Sequence, residues 1–208
     1  MSGRRAILFG AGGHARAVRA LLPHVAVRFA VEDGPGPENL LQAAVLEAGP
    51  DADTDYFVAI GDGAARRRCR ERLNARGFRV ATCVAPTAWV SPDAELGEGG
   101  FVGPGAVVGA NTRLGAGVIV NTLASIDHDC VVGDDVQLTP GVTLGSHLRI
   151  GADCYFGMKS CVLPRLELGA GVRVMAGTLV VRSAPPGVVL GGSPARVMQR
   201  PAQAADEG

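Results

Sequence analysis

The segment 126–130, Ile-Asp-His-Asp-Cys, carries the side chains of this chain that are best suited to acid–base chemistry. A solvent-facing histidine can accept a proton during a reaction, and His128 is the candidate for this role. A carboxylate bonded to one ring nitrogen would fix the tautomer and stabilise the imidazolium. Asp127 and Asp129 both flank His128, and the sequence leaves open which of them reaches the ring. The alternative is an ordinary surface histidine.

A glycine loop near the start of the chain is the second candidate site. The residues Gly10-Ala11-Gly12-Gly13-His14 follow an apolar run and precede a helical pattern. In this arrangement the backbone N–H groups and the helix N-terminus can approach a phosphate. Asp33 ends the next predicted strand, where an acceptor for a ribose hydroxyl is expected. This region supplies half of a dinucleotide fold, so we expect a mononucleotide; the alternative is a tight turn that needs glycine.

A six-residue period over half of the chain predicts the element that positions His128. Every sixth residue is Val, Leu, Ile or Phe, and glycine often follows. So short a period predicts a stacked solenoid, the hexapeptide β-helix. The anchor positions are Val84, Val90, Leu96, Val102, Val108, Leu114, Val120, Ile126, Val132, Leu138, Leu144, Ile150, Phe156, Val162, Leu168, Val174 and Val180.

Three six-residue faces make one triangular coil, so residues n and n+18 are expected to be stacked neighbours about 4.8 Å apart. Ser146 then lies next to His128, and His147 lies next to Asp129. We therefore predict a contact between His147 and Asp129 across adjacent coils. The alternative is that His147 is a solvated surface residue.

The first part of the chain alternates between strand and helix patterns, which indicates a small parallel sheet with crossover helices. The sequence divides into an α/β domain (1–81), a hexapeptide β-helix (82–182) and a C-terminal return strand and tail (183–208). Strands are predicted at 6–9, 27–31 and 56–60, and helices at 15–22, 38–47 and 64–75, with Gly77 as the C-cap of the last helix.

Composition and charge exclude several classes of protein. The 208 residues contain 20 Lys and Arg and 20 Asp and Glu, so the net charge is zero and nucleic acid is not an expected partner. No apolar run approaches the length of a membrane span, and no secretory signal is recognisable, so we expect a cytoplasmic protein without membrane insertion.

The arginine cluster at 66–72 is interpreted as a solvated helix face. Cys130 and Cys154 fall at small-residue positions and are expected to pack in the core.

The glycine loop, Ala59-Ile60-Gly61-Asp62, the hexapeptide repeat with segment 126–130 and Gly-Gly-Ser-Pro-Ala-Arg at 191–196 occur in an order that resembles one family. It is the bacterial sugar acetyltransferase family that includes sialic acid O-acetyltransferases and N-acetyltransferases acting on nucleotide-linked 4-amino sugars. The resemblance covers residues 4 to about 198. It implies that the solenoid is a left-handed parallel β-helix and that the protein is a homotrimer with acetyl-CoA bound between neighbouring solenoids. It also implies that no metal is required and that the N-terminal domain holds a nucleotide-linked amino sugar.

The resemblance also implies roles for individual residues. His128 matches the general base and Asp129 the carboxylate beside it, while Asn121 and Thr122 match the place where the solenoid meets the sugar. The residues matching the nucleotide-binding region are Gly12, Gly13, His14, Asp33, Ile60, Gly61 and Arg66. Those matching the cofactor cleft are Gly145, Ser146, Met158, Ala176 and Gly177, with Arg196 near the far end of the cofactor.

One position departs from the family pattern, and three other functions compete. Many relatives carry a second histidine nine residues after the base, near the thioester, and here that cofactor-binding position is Gln137. A γ-class carbonic anhydrase has a similar solenoid but needs three zinc-binding histidines, whereas only His128 and His147 lie in this one. O-acetylation of a sugar hydroxyl and a lapsed nucleotide-sugar-binding scaffold are the remaining alternatives.

Overall fold

The structure is a computed structural model that describes residues 5–31 and 39–198, with only the backbone of residues 39–41. Asp33, predicted to bind the ribose, and the predicted tail after 200 lie outside the described residues. The described part contains an α/β unit followed by a left-handed parallel β-helix, as the sequence predicts. The boundaries at 81/82 and 182/183 stay a prediction.

The α/β unit is a four-stranded sheet in the order β3-β2-β1-β4, and all of its pairs are parallel. Ala15 and Val18 form the buried side of the first helix, which packs against the sheet. The strands are β1 (Arg5–Phe9), β2 (Ala26–Val31), β3 (Asn39–Leu41) and β4 (Thr54–Val58), and the helices are α1 (Gly13–Ala20), α2 (Gln42–Ala48) and α3 (Gly63–Asn74).

The observed bounds of several helices and strands differ from the predicted ones. The predicted helix at 38–47 is strand β3 followed by α2, because residues 39–41 pair with the edge of β2. Helix α3 begins one residue early, since the Asp62 side chain accepts a hydrogen bond from the Ala65 N–H at 2.8 Å. It ends at a cap on Ala75, so Gly77, which was predicted as the C-cap and has φ +80°, lies two residues beyond the observed cap.

The β-helix has three faces, each a parallel sheet of two-residue strands in which residue n pairs with residue n+18. Face 1 contains β7 (Glu95–Leu96), β10 (Arg113–Leu114), β13 (Val131–Val132), β16 (Arg149–Ile150) and β19 (Glu167–Leu168). Face 2 contains β5 (Cys83–Val84), β8 (Phe101–Val102), β11 (Ile119–Val120), β14 (Gln137–Leu138), β17 (Tyr155–Phe156) and β20 (Arg173–Val174). Face 3 contains β6 (Trp89–Val90), β9 (Val107–Val108), β12 (Ser125–Ile126), β15 (Thr143–Leu144), β18 (Cys161–Val162) and β21 (Leu179–Val180).

The anchor side chains form a continuous aliphatic core inside the coils, with Cys130 and Cys154 buried among them as expected. Val84 is the exception and is exposed, because no coil precedes it to cover the open end. Glycine is needed after an anchor because adjacent coils pack too closely for a side chain: a Cβ on Gly157 would lie 2.4 Å from the Ala176 nitrogen. The last coil continues into β22 (Val189–Gly191), parallel to β20, and β23 (Arg196–Met198), which pairs antiparallel with β22.

The outward side chains differ sharply between the faces. Face 1 carries a charged ladder in which Glu95 and Arg113 approach to 3.3 Å. The beginning of face 2 is covered, because Phe101 and Ile119 pack into the core of the α/β unit. Face 3 has no charged residue at its six outward strand positions, which are Trp89, Val107, Ser125, Thr143, Cys161 and Leu179.

Charged residues of α3 tie the α/β unit to the solenoid. The Asp135 side chain is fully buried and accepts hydrogen bonds from Arg67 Nε and Arg70 Nη2, both at 2.7 Å. Arg67 also pairs with Asp153 on the next coil. The prediction that the arginine cluster is a solvated helix face is therefore wrong for these residues, since the face packs against acidic corners of the solenoid that the helical pattern alone does not show.

Candidate functional site

The strongest candidate for acid–base chemistry lies at the turn from face 3 to face 1, which we call corner 3/1 and which comprises 127–130 in the coil of His128. His128 Nδ1 lies 2.7 Å from Asp129 Oδ2, and both side chains are exposed, by 47% and 39%. Asp127 instead accepts a hydrogen bond from the His128 backbone N–H at 2.8 Å. The question left open by the sequence is thus answered: Asp129 orients the ring, and Asp127 holds the backbone.

This pairing sets the chemistry of the imidazole. With Asp129 ionised, Nδ1 carries the proton and donates it to the carboxylate, so the lone pair lies on Nε2. The hydrogen bond from His128 is the main cause that lowers the pKa of Asp129 below its ordinary value, and Asn111 adds a further bond. The carboxylate therefore stays ionised through the neutral range. Nε2 is available to accept a proton from a nucleophile.

His147 extends the same cluster by one coil, as the eighteen-residue period predicts. Its Nε2 lies 3.7 Å from Asp129 Oδ2, and its ring meets that of His128 edge to face at 5.2 Å between centroids. Asp129 and His147 both have positive φ, 59° in each case. Equivalent corner positions share this backbone conformation, which directs successive side chains to the same edge of the solenoid.

The glycine loop lies at the carboxyl end of β1, beside the start of α1. Gly10 has φ +110°, and a Cβ there would lie 2.9 Å from the Ala59 carbonyl oxygen, so this turn requires glycine. Gly12 is the N-cap of α1 and Gly13 its first residue, and both are exposed. The N-terminal N–H groups of the helix thus lie at an open edge suited to an anion.

His14 is partly buried, and its ring packs edge to face on Phe101, with 4.9 Å between centroids. Burial is the main cause that lowers the pKa of His14 to about 4, and the charge of Arg66 contributes. His14 is therefore neutral near pH 7. It can offer a nucleotide a hydrogen bond and a ring surface but not a charge.

Arg66, predicted to belong to the nucleotide-binding region, is buried between the α/β unit and the solenoid. It is 1% exposed, and its guanidinium donates to the carbonyl oxygens of Ile60 and Gly61, at 3.2 and 3.1 Å, and to that of Gly117. Burial lowers its pKa. Arg66 thereby fixes the loop at 60–61, itself predicted to bind the nucleotide, against the solenoid. Its own part in nucleotide binding stays a prediction.

Asn121 and Thr122 lie close to this loop through Phe101. They form the turn from face 2 to face 3, which we call corner 2/3. A Cβ on Gly103, one coil earlier, would lie 2.9 Å from both the Thr122 nitrogen and the Phe101 ring. A continuous path of contacts therefore runs from His14 through Phe101 and Gly103 to Thr122. The structure brings together the predicted nucleotide loop and the predicted sugar-contacting residues.

The residues predicted to bind the cofactor divide between two edges of the chain. Gly145 and Ser146 stack on Asp127 and His128 at corner 3/1, whereas the exposed residues Met158, Ala176 and Gly177 lie at corner 2/3 above Thr122. The two corners are separated by the width of face 3, on the order of 15–20 Å for six extended residues. Gln137 lies on face 2 because nine residues are half a coil, and Arg196 is exposed on β23. One chain therefore does not assemble all of these residues around His128.

The sequence did not point to two further cationic residues. Arg68 and Arg72 of α3 are exposed and line a cavity of about 600 Å³ that Gly10 and Ile60 also line, at the carboxyl end of the sheet. Their spacing of four residues, which puts both on one side of α3, was the available signal. This spacing was overlooked because the arginine cluster at 66–72 was interpreted as a solvated helix face.

No protein-family model matches the chain, but several solved structures do. The acetyltransferase domain of PglB from Neisseria gonorrhoeae, in complex with acetyl coenzyme A, is 33% identical, with 95% of this chain and 100% of that chain covered and a TM-score of 0.88. A histidine-to-alanine mutant of GDP-perosamine N-acetyl transferase from Caulobacter crescentus, in complex with CoA and GDP-perosamine, is 30% identical, with coverage of 96% and 99% and a TM-score of 0.84. WeeI from Acinetobacter baumannii, at 23% identity, coverage of 93% and 99% and a TM-score of 0.84, is similar in fold.

Proposed function

This chain belongs to the hexapeptide-repeat sugar acetyltransferases, and we propose that it transfers an acetyl group from acetyl-CoA to the amino group of a nucleotide-linked 4-amino sugar. The observation that carries the proposal is the His128–Asp129 pair, whose hydrogen bond leaves Nε2 as a base at an exposed corner. Two of the relatives described above were solved with bound molecules, the PglB domain with acetyl-CoA and the GDP-perosamine N-acetyl transferase mutant with CoA and GDP-perosamine. Because acetyl-CoA is a cytoplasmic donor, we propose a cytoplasmic location.

In the proposed mechanism the sugar amine attacks the thioester carbonyl while His128 Nε2 accepts its proton. Asp129 stabilises the imidazolium that forms. A carbon–nitrogen bond forms, the carbon–sulfur bond breaks, and the CoA thiolate leaves with the electron pair of that bond. Holding both substrates together supplies proximity and orientation, so no covalent enzyme intermediate is needed.

We assign the nucleotide to the α/β unit. The exposed start of α1 at Gly12 and Gly13 supports this placement by offering N–H groups to a phosphate. The contact between His14 and Phe101 supports a path for the sugar from that loop to Thr122. Turnover with a panel of nucleotide-linked 4-amino sugars would identify the nucleotide base and the sugar.

We further propose a homotrimer in which corner 2/3 of one copy meets corner 3/1 of the next. Two observations support it: the predicted site residues divide between these corners, and face 3 between them has no outward charge while Trp89 is 55% exposed there. Cyclic assembly through different patches repeats one such contact at each interface. In this arrangement His128 of one copy would act on the sugar held by its neighbour.

The reaction is tested by thiol release from acetyl-CoA with a panel of UDP-, GDP- and dTDP-linked 4-amino sugars. Turnover on one sugar that falls by a factor of about 100 or more in His128→Ala supports the proposal. The matched control is His24→Ala, an exposed histidine of the α/β unit, which should retain activity. If no amino sugar releases thiol, N-acetylation is wrong; sugar hydroxyls would be tested next, followed by nucleotide-sugar binding alone.

The division of the site between copies is tested by mixing inactive chains. Refolding equal amounts of His128→Ala and of a corner 2/3 variant such as Thr122→Arg should restore about a quarter of the wild-type activity, because a quarter of the interfaces would combine two intact halves. Neither variant alone should turn over. Persistent inactivity of the mixture, with hetero-oligomers demonstrated, would place both halves in one chain.

A further inference from the structure

Three side chains at corner 3/1 converge on one point. His128 Nδ1 and His147 Nε2 lie 2.7 and 3.7 Å from the same oxygen, Asp129 Oδ2. The three potential ligand atoms all lie within 4.8 Å of one another, and all three residues are exposed. Two imidazoles and a carboxylate are the ligand types that zinc-class divalent ions bind in proteins.

The spacing of these atoms is close to that of a tetrahedral site. Ligand atoms about 2.0–2.1 Å from a zinc ion at tetrahedral angles are about 3.3 Å apart. The two distances to Asp129 Oδ2 bracket this value, and the two nitrogens need to close by at most about 1.5 Å, which side-chain rotation can supply. The exposed side of the cluster leaves the fourth position to water.

The surroundings hold the three ligands in place. Asn111 Nδ2 donates to Asp129 Oδ1 at 3.3 Å, which keeps Oδ2 turned toward the two rings. The His147 N–H donates to the His128 carbonyl oxygen at 3.0 Å, so the two coils cannot slide past one another. Outer hydrogen bonds of this kind orient the ligands of metal sites.

We propose that His128, Asp129 and His147 form a binding site for one zinc-class divalent ion and that occupancy of this site inhibits acetyl transfer. An ion binds the Nδ1 lone pair of the other neutral tautomer, in which the single N–H proton of His128 has moved from Nδ1 to Nε2. Nε2 then no longer has a lone pair with which to accept a proton from the amine. The ion is therefore a reversible inhibitor and not a cofactor, and the inhibitory part of this inference rests on the proposed function.

The binding part is tested without substrate. Tag-free, full-length protein stripped with chelator is titrated with ZnCl₂ by calorimetry, and the visible spectrum is recorded with CoCl₂ as a geometric probe. We expect one ion per chain and a tetrahedral cobalt spectrum, with affinity reduced about tenfold or more in His147→Ala and in Asp129→Asn. His24→Ala is the matched control and should bind like the wild type. Undiminished affinity in His147→Ala, or no saturable binding to the wild type, would overturn the proposal.

The inhibitory part is then measured by the loss of thioester absorbance, because zinc would bind the thiol product in a thiol assay. Zinc should lower the rate in proportion to the occupancy measured by calorimetry, and chelator should restore it. Zinc binding with unaltered turnover would overturn the inhibitory role. A protein that binds zinc as proposed but transfers acetyl to no acceptor would leave the site established and the proposed function wrong.

Discussion

At the scale of single residues, the proposed mechanism gives Asp129 two electrostatic tasks: it keeps the proton of His128 on Nδ1, and it stabilises the imidazolium that forms. We predict that Asp129→Asn lowers kcat by a factor of about 10² to 10⁴, because the amide removes the charge that stabilises the imidazolium and can impose the wrong tautomer. Asp127→Asn is the control, since that carboxylate bonds only to the backbone N–H of His128. Steady-state kinetics would measure both. Equal losses in the two variants would contradict the assignment of Asp129 as the orienting carboxylate.

His14 gives the protein a stability that depends on pH. Its pKa is about 4 in the folded state against 6.5 ordinarily, so the unfolded chain binds a proton first as the pH falls. The contribution is complete above about pH 6.5 and is lost toward about pH 4, with about 2 kcal/mol of unfolding free energy lost by pH 5.

Urea unfolding at pH 7.5 and pH 5 measures this contribution. The decrease in stability between the two values should be smaller by about that amount in His14→Gln than in the wild type. The same comparison in His24→Gln, at an exposed position, should leave the decrease unaltered. A His14→Gln variant with the full decrease would show that other groups cause it.

At the scale of elements, the contact between α3 and the solenoid depends on Asp135. Replacing it with Asn removes the close, buried counterion of Arg70 and leaves only Glu98, at 3.9 Å, which is expected to cost about 3–5 kcal/mol. Glu95→Gln removes a carboxylate from an exposed pair with Arg113 and should cost less than about 1 kcal/mol. Urea unfolding of both variants tests this difference. Similar values would mean that Asp135 does not hold the α/β unit in place.

The sequence predicted the solenoid well because one period dictates both the pairing and the core. It even predicted the approach of His147 to Asp129, since that contact follows from the eighteen-residue coil alone. It was less successful with α3, where the same arginine pattern suits solvent or an acidic partner, and Asp135 is distant in sequence. Strand β3 was missed because its pairing with β2 is a tertiary contact that overrides local helix propensity.

The site shows the same contrast. The choice between Asp127 and Asp129 required the conformation of the corner, where φ of +59° at Asp129 directs its carboxylate to the ring. The burial of Arg66 could not be read from a helix pattern. The division of the predicted cofactor-binding residues between two corners, by contrast, follows from the six-residue period. The resemblance to the family alone did not reveal this division.

At the scale of the whole molecule, face 3 is the surface on which the proposed assembly depends. Val107 is 36% exposed on the second strand of this face, between Trp89 and Ser125. We predict that Val107→Glu converts the oligomer into monomers, because a charge would be buried against an apolar surface, and that acetyl transfer is lost with it. Sedimentation and turnover are measured on the same samples. Val131→Glu, at an outward position of face 1, is the control and should stay assembled; a Val107→Glu trimer would exclude face 3 from the interface.

Within the described residues no helix is both long and apolar enough to cross a bilayer. A neighbouring copy of the chain is the occupant that the proposed function assigns to face 3.

The pairing of each residue with the one eighteen positions later also limits how genes for such chains can change in length. Duplication or loss of one whole coil keeps every later side chain on its face and in its column. A gain of two or three residues within a strand would move all later anchors out of the core. We therefore expect natural length variation in this region to occur as entire coils, or as loops that leave and re-enter at a single corner.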